Sequence, residues 1–129
     1  MTTPTVLAVN VLPEKLGKLR FLCLRLGIRV TVAEPRMFGC AVGDLVAGAA
    51  APVRGKWAPF ADEMLVMAGF RPGMLDAFLA SFREMGIPSV PLKAMLTETN
   101  AAWTLERLHA ALRAEHEQMA AFRSRGGKG

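Results

Sequence analysis

The chain has 129 residues, with 16 Lys and Arg against 11 Asp and Glu and a formal net charge of +5. This length accommodates one domain of ordinary size and excludes a two-domain enzyme with a separate cofactor module. A hydrophobic fraction of 52% excludes a wholly disordered chain. Two cysteines exclude a disulfide scaffold and leave too few thiols for a cysteine-based zinc site.

The N-terminal stretch has no basic residue before its first apolar run and lacks the pattern of a secretory signal, which predicts a cytoplasmic location. The apolar stretch Leu45–Val53 is far shorter than the roughly 20 residues of a membrane span and contains Pro52, so no membrane partner is predicted. Residues 1–60 hold eight basic and three acidic side chains, whereas residues 61–129 hold eight of each. The excess of positive charge in the first half indicates an anionic partner.

Two similar halves follow one another along the chain. Each has an apolar strand (6–11 and 64–70), a helix that starts near a proline and ends at a glycine, and a second strand (30–34 and 90–96). The apolar positions of the two helices match at one constant offset, which indicates an internal repeat. The matching positions are Leu16, Leu19, Cys23 and Leu26 in the first half and Leu75, Phe78, Phe82 and Met85 in the second.

Further helices are predicted after the second strand of each half. Residues 44–47 form a short candidate helix, and the last helix begins near Thr104, with Trp103 and Leu108 as a hydrophobic staple. Its predicted core stripe is Leu105, Leu108, Leu112, Met119 and Phe122. The sequence thus predicts one α/β domain over 1–122, with halves 5–48 and 63–122, a linker at 49–62 and a disordered basic tail at 123–129.

Four strands alternating with helices predict a four-stranded sheet. The first and third strands are apolar on both faces and should be central, whereas the second alternates and the fourth contains Pro91, as edge strands do. Two topologies satisfy these constraints: a parallel sheet in the order 2-1-3-4 and a ferredoxin-like sheet in the order 4-1-3-2. The parallel order is favoured because residues 35–62 are long enough for the crossover that it needs.

A polar stretch joins the fourth strand to the last helix and is the candidate ligand site. Ligands bind beyond the carboxyl ends of strands in α/β sheets, and free N–H groups at a helix start favour an anion. The same residue types also serve simply as turn and cap residues, which is the competing interpretation. The candidate residues are Lys93, Thr97, Thr99, Asn100, Trp103 and Thr104.

This stretch resembles a small uncharacterised bacterial family, a domain of unknown function, through the motif P-L-K-A-x-L-T-x-T-N-x-x-W and a following helix that ends in E-H. The resemblance covers about residues 63–118, with a looser match in the first half, and brings no activity with it. It implies that any shared role lies in the Lys-Thr-Thr-Asn-Trp cluster. The matching residues are Pro91, Leu92, Lys93, Ala94, Leu96, Thr97, Thr99, Asn100, Trp103, Glu115 and His116.

A basic stripe on the first helix is the second candidate surface. Lys15, Lys18, Arg25 and Arg29 fall within about 80° on a helical wheel. The stripe is typical of a solvated face, but it also fits phosphates or an acidic protein partner. Nucleic acid is disfavoured, since Phe21 is predicted to be buried and leaves no aromatic platform for bases.

No catalytic constellation, cofactor motif or metal site is predicted. His109 and His116 lie about 10.5 Å apart by helical rise, too far to bind one metal together. Cys23 falls on the core face of the first helix, whereas Cys40 is predicted to be accessible. Glycine-rich phosphate motifs and the G-x-S-x-G elbow are absent.

The favoured hypothesis is a small binding or regulatory module with a small anionic ligand at the polar stretch, and no enzyme activity is predicted. The first alternative is a protein-interaction module or homodimer that acts through the first helix or a sheet edge. The second alternative is weak nucleic-acid binding by the basic stripe.

Overall fold

A computed structural model describes residues 3–48 and 60–126 of the chain, with side chains described as far as Met119. The elements in chain order are β1 (Thr5–Val9), α1 (Pro13–Leu26), β2 (Arg29–Ala33), a short 3-10 helix (Pro35–Met37), α2 (Val42–Ala47), β3 (Met64–Ala68), α3 (Met74–Glu84), β4 (Leu92–Met95), α4 (Glu98–Ala101) and α5 (Leu105–Gly126). The predicted alternation of strands and helices in one small α/β domain is confirmed.

The four strands form one sheet in the order β2-β1-β3-β4. The predicted order 2-1-3-4 is therefore confirmed, and the ferredoxin-like order is excluded. Every residue of β1 and β3 is buried, as expected of central strands covered by helices on both faces. β2 and β4 are the edge strands and are only partly buried.

The sheet is mixed rather than parallel, which corrects the predicted strand direction. β1 pairs in parallel with β2 and β3 with β4, but β1 and β3 are antiparallel, with Leu7 opposite Val66. A buried strand is apolar along its whole length in either direction, so its sequence does not fix the direction of pairing. The antiparallel pairing of these two equivalent strands relates the halves of the chain by a local two-fold axis.

The helix ends repeat the same geometry in both halves. Gly27 and Gly86 adopt left-handed backbone angles, with φ of 71° and 66°. The N–H of the following isoleucine reaches back to a carbonyl of the last turn, from Ile28 to Cys23 and from Ile87 to Phe82, at 2.8 Å in both cases. These are the contacts of a Schellman cap, which uses glycine because a Cβ is disfavoured at that angle.

The segments after β2 and β4 also meet in a two-fold manner. Ala41 and Thr104 form an isolated antiparallel bridge. The Val42 N–H donates to the Trp103 carbonyl at 2.9 Å, and the Leu105 N–H donates to the Cys40 carbonyl at 3.1 Å. The bridge holds the starts of α2 and α5 side by side.

Two apolar layers sandwich the sheet. On one face α1 and α3 cover alternate residues of the central strands, with Leu19, Leu22 and Phe78 fully buried. On the other face α2 and α5 enclose a cluster around Phe38 and Leu105. The candidate surfaces therefore divide between two faces of one sheet.

Two predicted boundaries and one predicted core residue differ from the structure. The second-half helix, predicted to start near Pro72, begins at Met74, because Gly73 adopts a left-handed φ of 82° and ends a turn closed by the Met74 N–H and the Arg71 carbonyl. α5 continues to Gly126, past the predicted start of the tail at 123. Met119 is 54% exposed rather than in the core, since the side chains of residues 113–119 of α5 are all exposed.

The predicted linker divides into a described and an undescribed part. Residues 49–59 lie outside the described residues, as do 127–129 and the Phe122 side chain. Residues 60–62 are described and belong to the fold: the Phe60 ring stacks on Phe38, with centroids 4.3 Å apart.

Candidate functional site

A capping box occupies the middle of the predicted ligand site. The Thr97 N–H donates to Asn100 Oδ1 at 2.8 Å, and the Asn100 N–H donates to Thr97 Oγ1 at 3.1 Å. Asn100 Nδ2 also donates to the Met95 carbonyl at 3.0 Å. These bonds satisfy groups that the start of α4 leaves free, so both side chains have a structural role here.

Trp103 and Thr104, which follow this turn, lie at the N-terminus of α5. Thr104 Oγ1 accepts a hydrogen bond from the Arg107 N–H at 3.2 Å, the N-cap contact predicted from the sequence. Trp103 packs against the cluster that contains Leu108, and the Arg107 guanidinium lies 4.5 Å from the centre of its ring. Thr99 is exposed and makes no side-chain hydrogen bond within the described residues.

Lys93 lies apart from this turn. Leu92 and Ala94 contact the cluster under α2 and α5, so Lys93 projects from the opposite face of β4. Its Nζ donates to the Val90 carbonyl at 2.6 Å, at the beginning of the strand. The structure thus groups Thr97, Asn100 and their neighbours but does not bring Lys93 to them.

The predicted basic stripe also divides. Lys15 Nζ forms an ion pair with Glu63 Oε1 at 2.6 Å. Arg29 belongs to β2 rather than to the helix, and its guanidinium lies beside Gly48, where an added Cβ would be 3.1 Å away. Lys18 and Arg25 remain exposed on α1, without an ion pair in the part of the chain that the structure describes.

The outward face of α1 carries an apolar patch that the sequence did not indicate. Phe21, predicted to be buried, is 56% exposed, and Leu24 is 78% exposed. At 100° per residue both lie on the side of the helix opposite its buried residues, and Phe21 is one turn from Lys18 on one side and one turn from Arg25 on the other. We call this surface the α1 outer face and define it as Gly17, Lys18, Phe21, Leu24 and Arg25.

A charged cluster at the start of β3 was also missed. Asp62 Oδ1 lies 3.0 Å from His109 Nε2, and Asp62 Oδ2 accepts from Arg113 at 2.8 Å. The His109 ring stacks on Phe60 with centroids 3.7 Å apart. The His109 hydrogen bond, together with the Arg113 charge, lowers the pKa of Asp62. No local spacing could reveal this cluster, because Asp62 and His109 are 47 positions apart in the sequence.

Neither cysteine is placed as a nucleophile. Burial raises the pKa of the Cys23 thiol to about 12. Cys40, predicted to be accessible, is only 3% exposed. Thiolate character and access together determine cysteine reactivity, and Cys23 lacks both.

No group of three or more His, Cys, Asp or Glu side chains within residues 3–48 and 60–119 could hold a metal ion. Among the described helices none has the length and apolarity that crossing a membrane requires.

Fold and surfaces define a small mixed α/β domain built from two βαβ units. Residues 63–119, from the approach to β3 to the middle of α5, match the model of a family described as a domain of unknown function (DUF3783). The second half is therefore similar to an uncharacterised family, as the resemblance of its sequence implied. Neither a curated protein nor a solved structure matches the chain.

Proposed function

We propose that this protein is an interaction module whose α1 outer face binds an acidic, partly apolar segment of a partner protein. The observation that carries the proposal is the exposure of Phe21 at 56% between the cations Lys18 and Arg25. Monomeric proteins expose large apolar side chains singly, but here Leu24 lies one turn further along the same face.

Both parts of the surface favour such a partner. Burying a phenylalanine side chain contributes about 1.5–3 kcal/mol, and aromatic side chains at the centre of a contact carry much of the binding energy. The surrounding cations attract acidic groups and orient them as they approach. Lys18 and Arg25 have no ion pair among the described residues, so a partner need not displace an internal one.

The ligand site at the polar turn (residues 97–104) remains a second proposal. Its motif P-L-K-A-x-L-T-x-T-N-x-x-W is the natural place to look for a role shared with the family. Thr97, Asn100 and Thr104 already form helix caps, and Lys93 projects from the opposite face of β4, so Thr99 is the predicted polar side chain that is left for a small anion at the turn. The α1 outer face has no comparable structural role and is therefore favoured.

Single-stranded nucleic acid is the other candidate for the same surface. An exposed aromatic ring beside cations is a platform on which a base can stack, and the predicted burial of Phe21, which argued against this, is wrong. Leu24 favours a protein partner instead, because an aliphatic side chain offers no flat face for a base.

Fluorescence anisotropy with a labelled acidic amphipathic helical peptide tests the proposal. We expect wild type to bind the peptide, and Phe21→Ser to weaken binding on the order of tenfold or more. The matched control is Met119→Ser, which removes another exposed apolar side chain from α5 and should leave affinity unchanged. Equal weakening by the two variants, or no binding, would contradict the proposal.

A scrambled peptide of the same charge and a single-stranded oligonucleotide complete the design. The scrambled peptide should bind less tightly, because it retains the acidic charge but loses the apolar stripe. Tighter binding of the oligonucleotide, with affinity that falls steeply as salt rises, would support the nucleic-acid alternative instead.

A further inference from the structure

We propose that two copies of this chain pair through the outer edge of β2, which joins their sheets into one continuous sheet. β2 is an edge strand, and within the described part of the chain only β1 pairs with it. Unpaired strand edges template association with another strand unless they are covered, charged or interrupted by proline. β2, with the sequence RVTVA, has no proline and no charge after Arg29.

Two valines of β2 have backbone groups that no described strand bonds. The Arg29 N–H donates to the Pro4 carbonyl at 2.8 Å, so Arg29 bonds toward β1. Backbone groups alternate in direction along a strand of a parallel pair, and those of Val30 and Val32 therefore point away from β1. These two residues could bond to another strand without breaking a bond that β2 makes now.

The strand is also self-complementary. In an antiparallel pair centred on Thr31, Val30 faces Val32 of the second copy as a hydrogen-bonded pair, and Thr31 faces its own counterpart. β-branched cross-strand pairs of this kind stabilise sheets.

Two side chains of β2 have unsatisfied surface or hydrogen-bonding groups in the single chain. Val32 is 40% exposed. Thr31 Oγ1 is buried without a hydrogen-bond partner among the described residues. Threonine hydroxyls that face each other across a strand pair can bond to one another, so rotation of this side chain in the dimer would satisfy the orphaned oxygen.

The equivalent edge of β4 is protected. Pro91 precedes the strand and Lys93 lies within it, and both features block edge pairing. One open edge and one protected edge give a closed two-fold dimer rather than a chain of subunits. Met95, the counterpart of Val32, is 39% exposed and supplies a matched control.

Sedimentation velocity of wild type, Val32→Lys and Met95→Lys tests the proposal. We expect a dimer for wild type and Met95→Lys and a monomer for Val32→Lys, with unchanged circular dichroism for all three. A monomeric wild type at its highest soluble concentration, a dimeric folded Val32→Lys, or dissociation of the dimer by both substitutions would overturn it. Phe21→Ser should remain dimeric, so this outcome is separable from that of the proposed function.

A cysteine at position 31, on the two-fold axis of the proposed dimer, tests the register of the two β2 strands. This test does not depend on folding of the Val32→Lys variant. Thr31→Cys should form a disulfide-linked dimer under mild oxidation, whereas Val30→Cys, which faces Val32 of the second copy, should not link to itself. Cys23 and Cys40 are buried and should not interfere. Failure of Thr31→Cys to link, or equal linking at Val30→Cys, would overturn the proposed pairing.

Discussion

Leu7 and Val66 lie opposite each other at the centre of the antiparallel pair of β1 and β3, and they occupy the same position in the two halves of the chain. A local two-fold axis therefore passes between them. Each residue of one half can be compared with its counterpart in the other. Features present in only one half are those that the shared fold does not require.

Asn10 and its counterpart Gly69 both adopt a left-handed backbone, with φ of 57° and 71°. Asn10 tolerates this angle and donates from Nδ2 to the carbonyls of Phe60 and Asp62 at 2.9 and 3.1 Å. We expect Asn10→Ala to reduce the free energy of unfolding by about 1 kcal/mol more than Asn10→Gly, because only alanine adds backbone strain to the lost bonds. Urea unfolding of the two variants measures this difference; an equal loss would argue against strain at this site.

Alanine substitutions at Gly43 and Gly17 are predicted to change the stability of the fold in opposite directions. A Cβ at Gly43 would lie 3.2 Å from both Cβ and the carbonyl oxygen of Ala101, so α2 approaches α4 closely there. Gly43→Ala should destabilise the fold by about 1–3 kcal/mol. A Cβ added at Gly17, in the middle of α1, would have no described atom within 4 Å, and Gly17→Ala should stabilise the fold by about 0.5–1 kcal/mol. Thermal unfolding of both variants checks the pair, and a shift of the same sign in both would contradict the described packing.

Substitutions of Asn100 and Thr99 distinguish a helix-capping role of the polar turn from a ligand-binding role. Asn100→Ala removes the capping box and should cost about 1 kcal/mol, whereas Thr99→Ala should change stability by less than about 0.5 kcal/mol. Chemical unfolding measures both values. A small anion that stabilises wild type but not Thr99→Ala, which keeps the cap, would support the ligand site.

The ion pairs of Asp62 predict a defined pH dependence. The hydrogen bond to His109 and the nearby Arg113 hold the pKa of Asp62 below its usual range in the folded protein. Its contribution to folding is therefore fully present above the unfolded-state pKa of about 3.9 and is lost as pH falls through the lowered folded-state pKa. The stability difference between wild type and Asp62→Asn should therefore shrink as the pH falls below about 5.

Unfolding by urea at a series of pH values provides that measurement. Asp76→Asn, at an exposed carboxylate of α3 with no ion pair among the described residues, is the control. A difference for Asp62→Asn that grows as the pH falls would contradict the assignment.

Local patterns in the sequence were enough to predict the edge strands, the glycine helix ends and the Thr104 cap. Each of these depends on a few neighbouring residues. The strand order was favoured over a ferredoxin-like order only by the length of residues 35–62. The direction of β3 relative to β1 could not be predicted, because buried strands look alike in both directions and equivalent halves can pack either side by side or about a two-fold axis.

The candidate surfaces were harder to predict for a related reason. The aromatic side chain of Phe21 predicts a core position, but its place on the helical wheel is opposite the buried Leu19 and Cys23. Asp62 and His109 come together only because the chain before β3 passes along α5. Such juxtapositions are set by tertiary packing, and no motif in the chain encodes them.

Photo-crosslinking in living cells, with p-benzoylphenylalanine in place of Phe21, tests the central claim most directly. The account predicts one protein adduct at this position that disappears when Lys18 and Arg25 are both changed to Glu, and no such adduct from the same photo-reactive residue at Met119. Equal adducts at the two positions, or an adduct at position 21 that is unaffected by the charge reversal, would contradict an interaction surface on the α1 outer face.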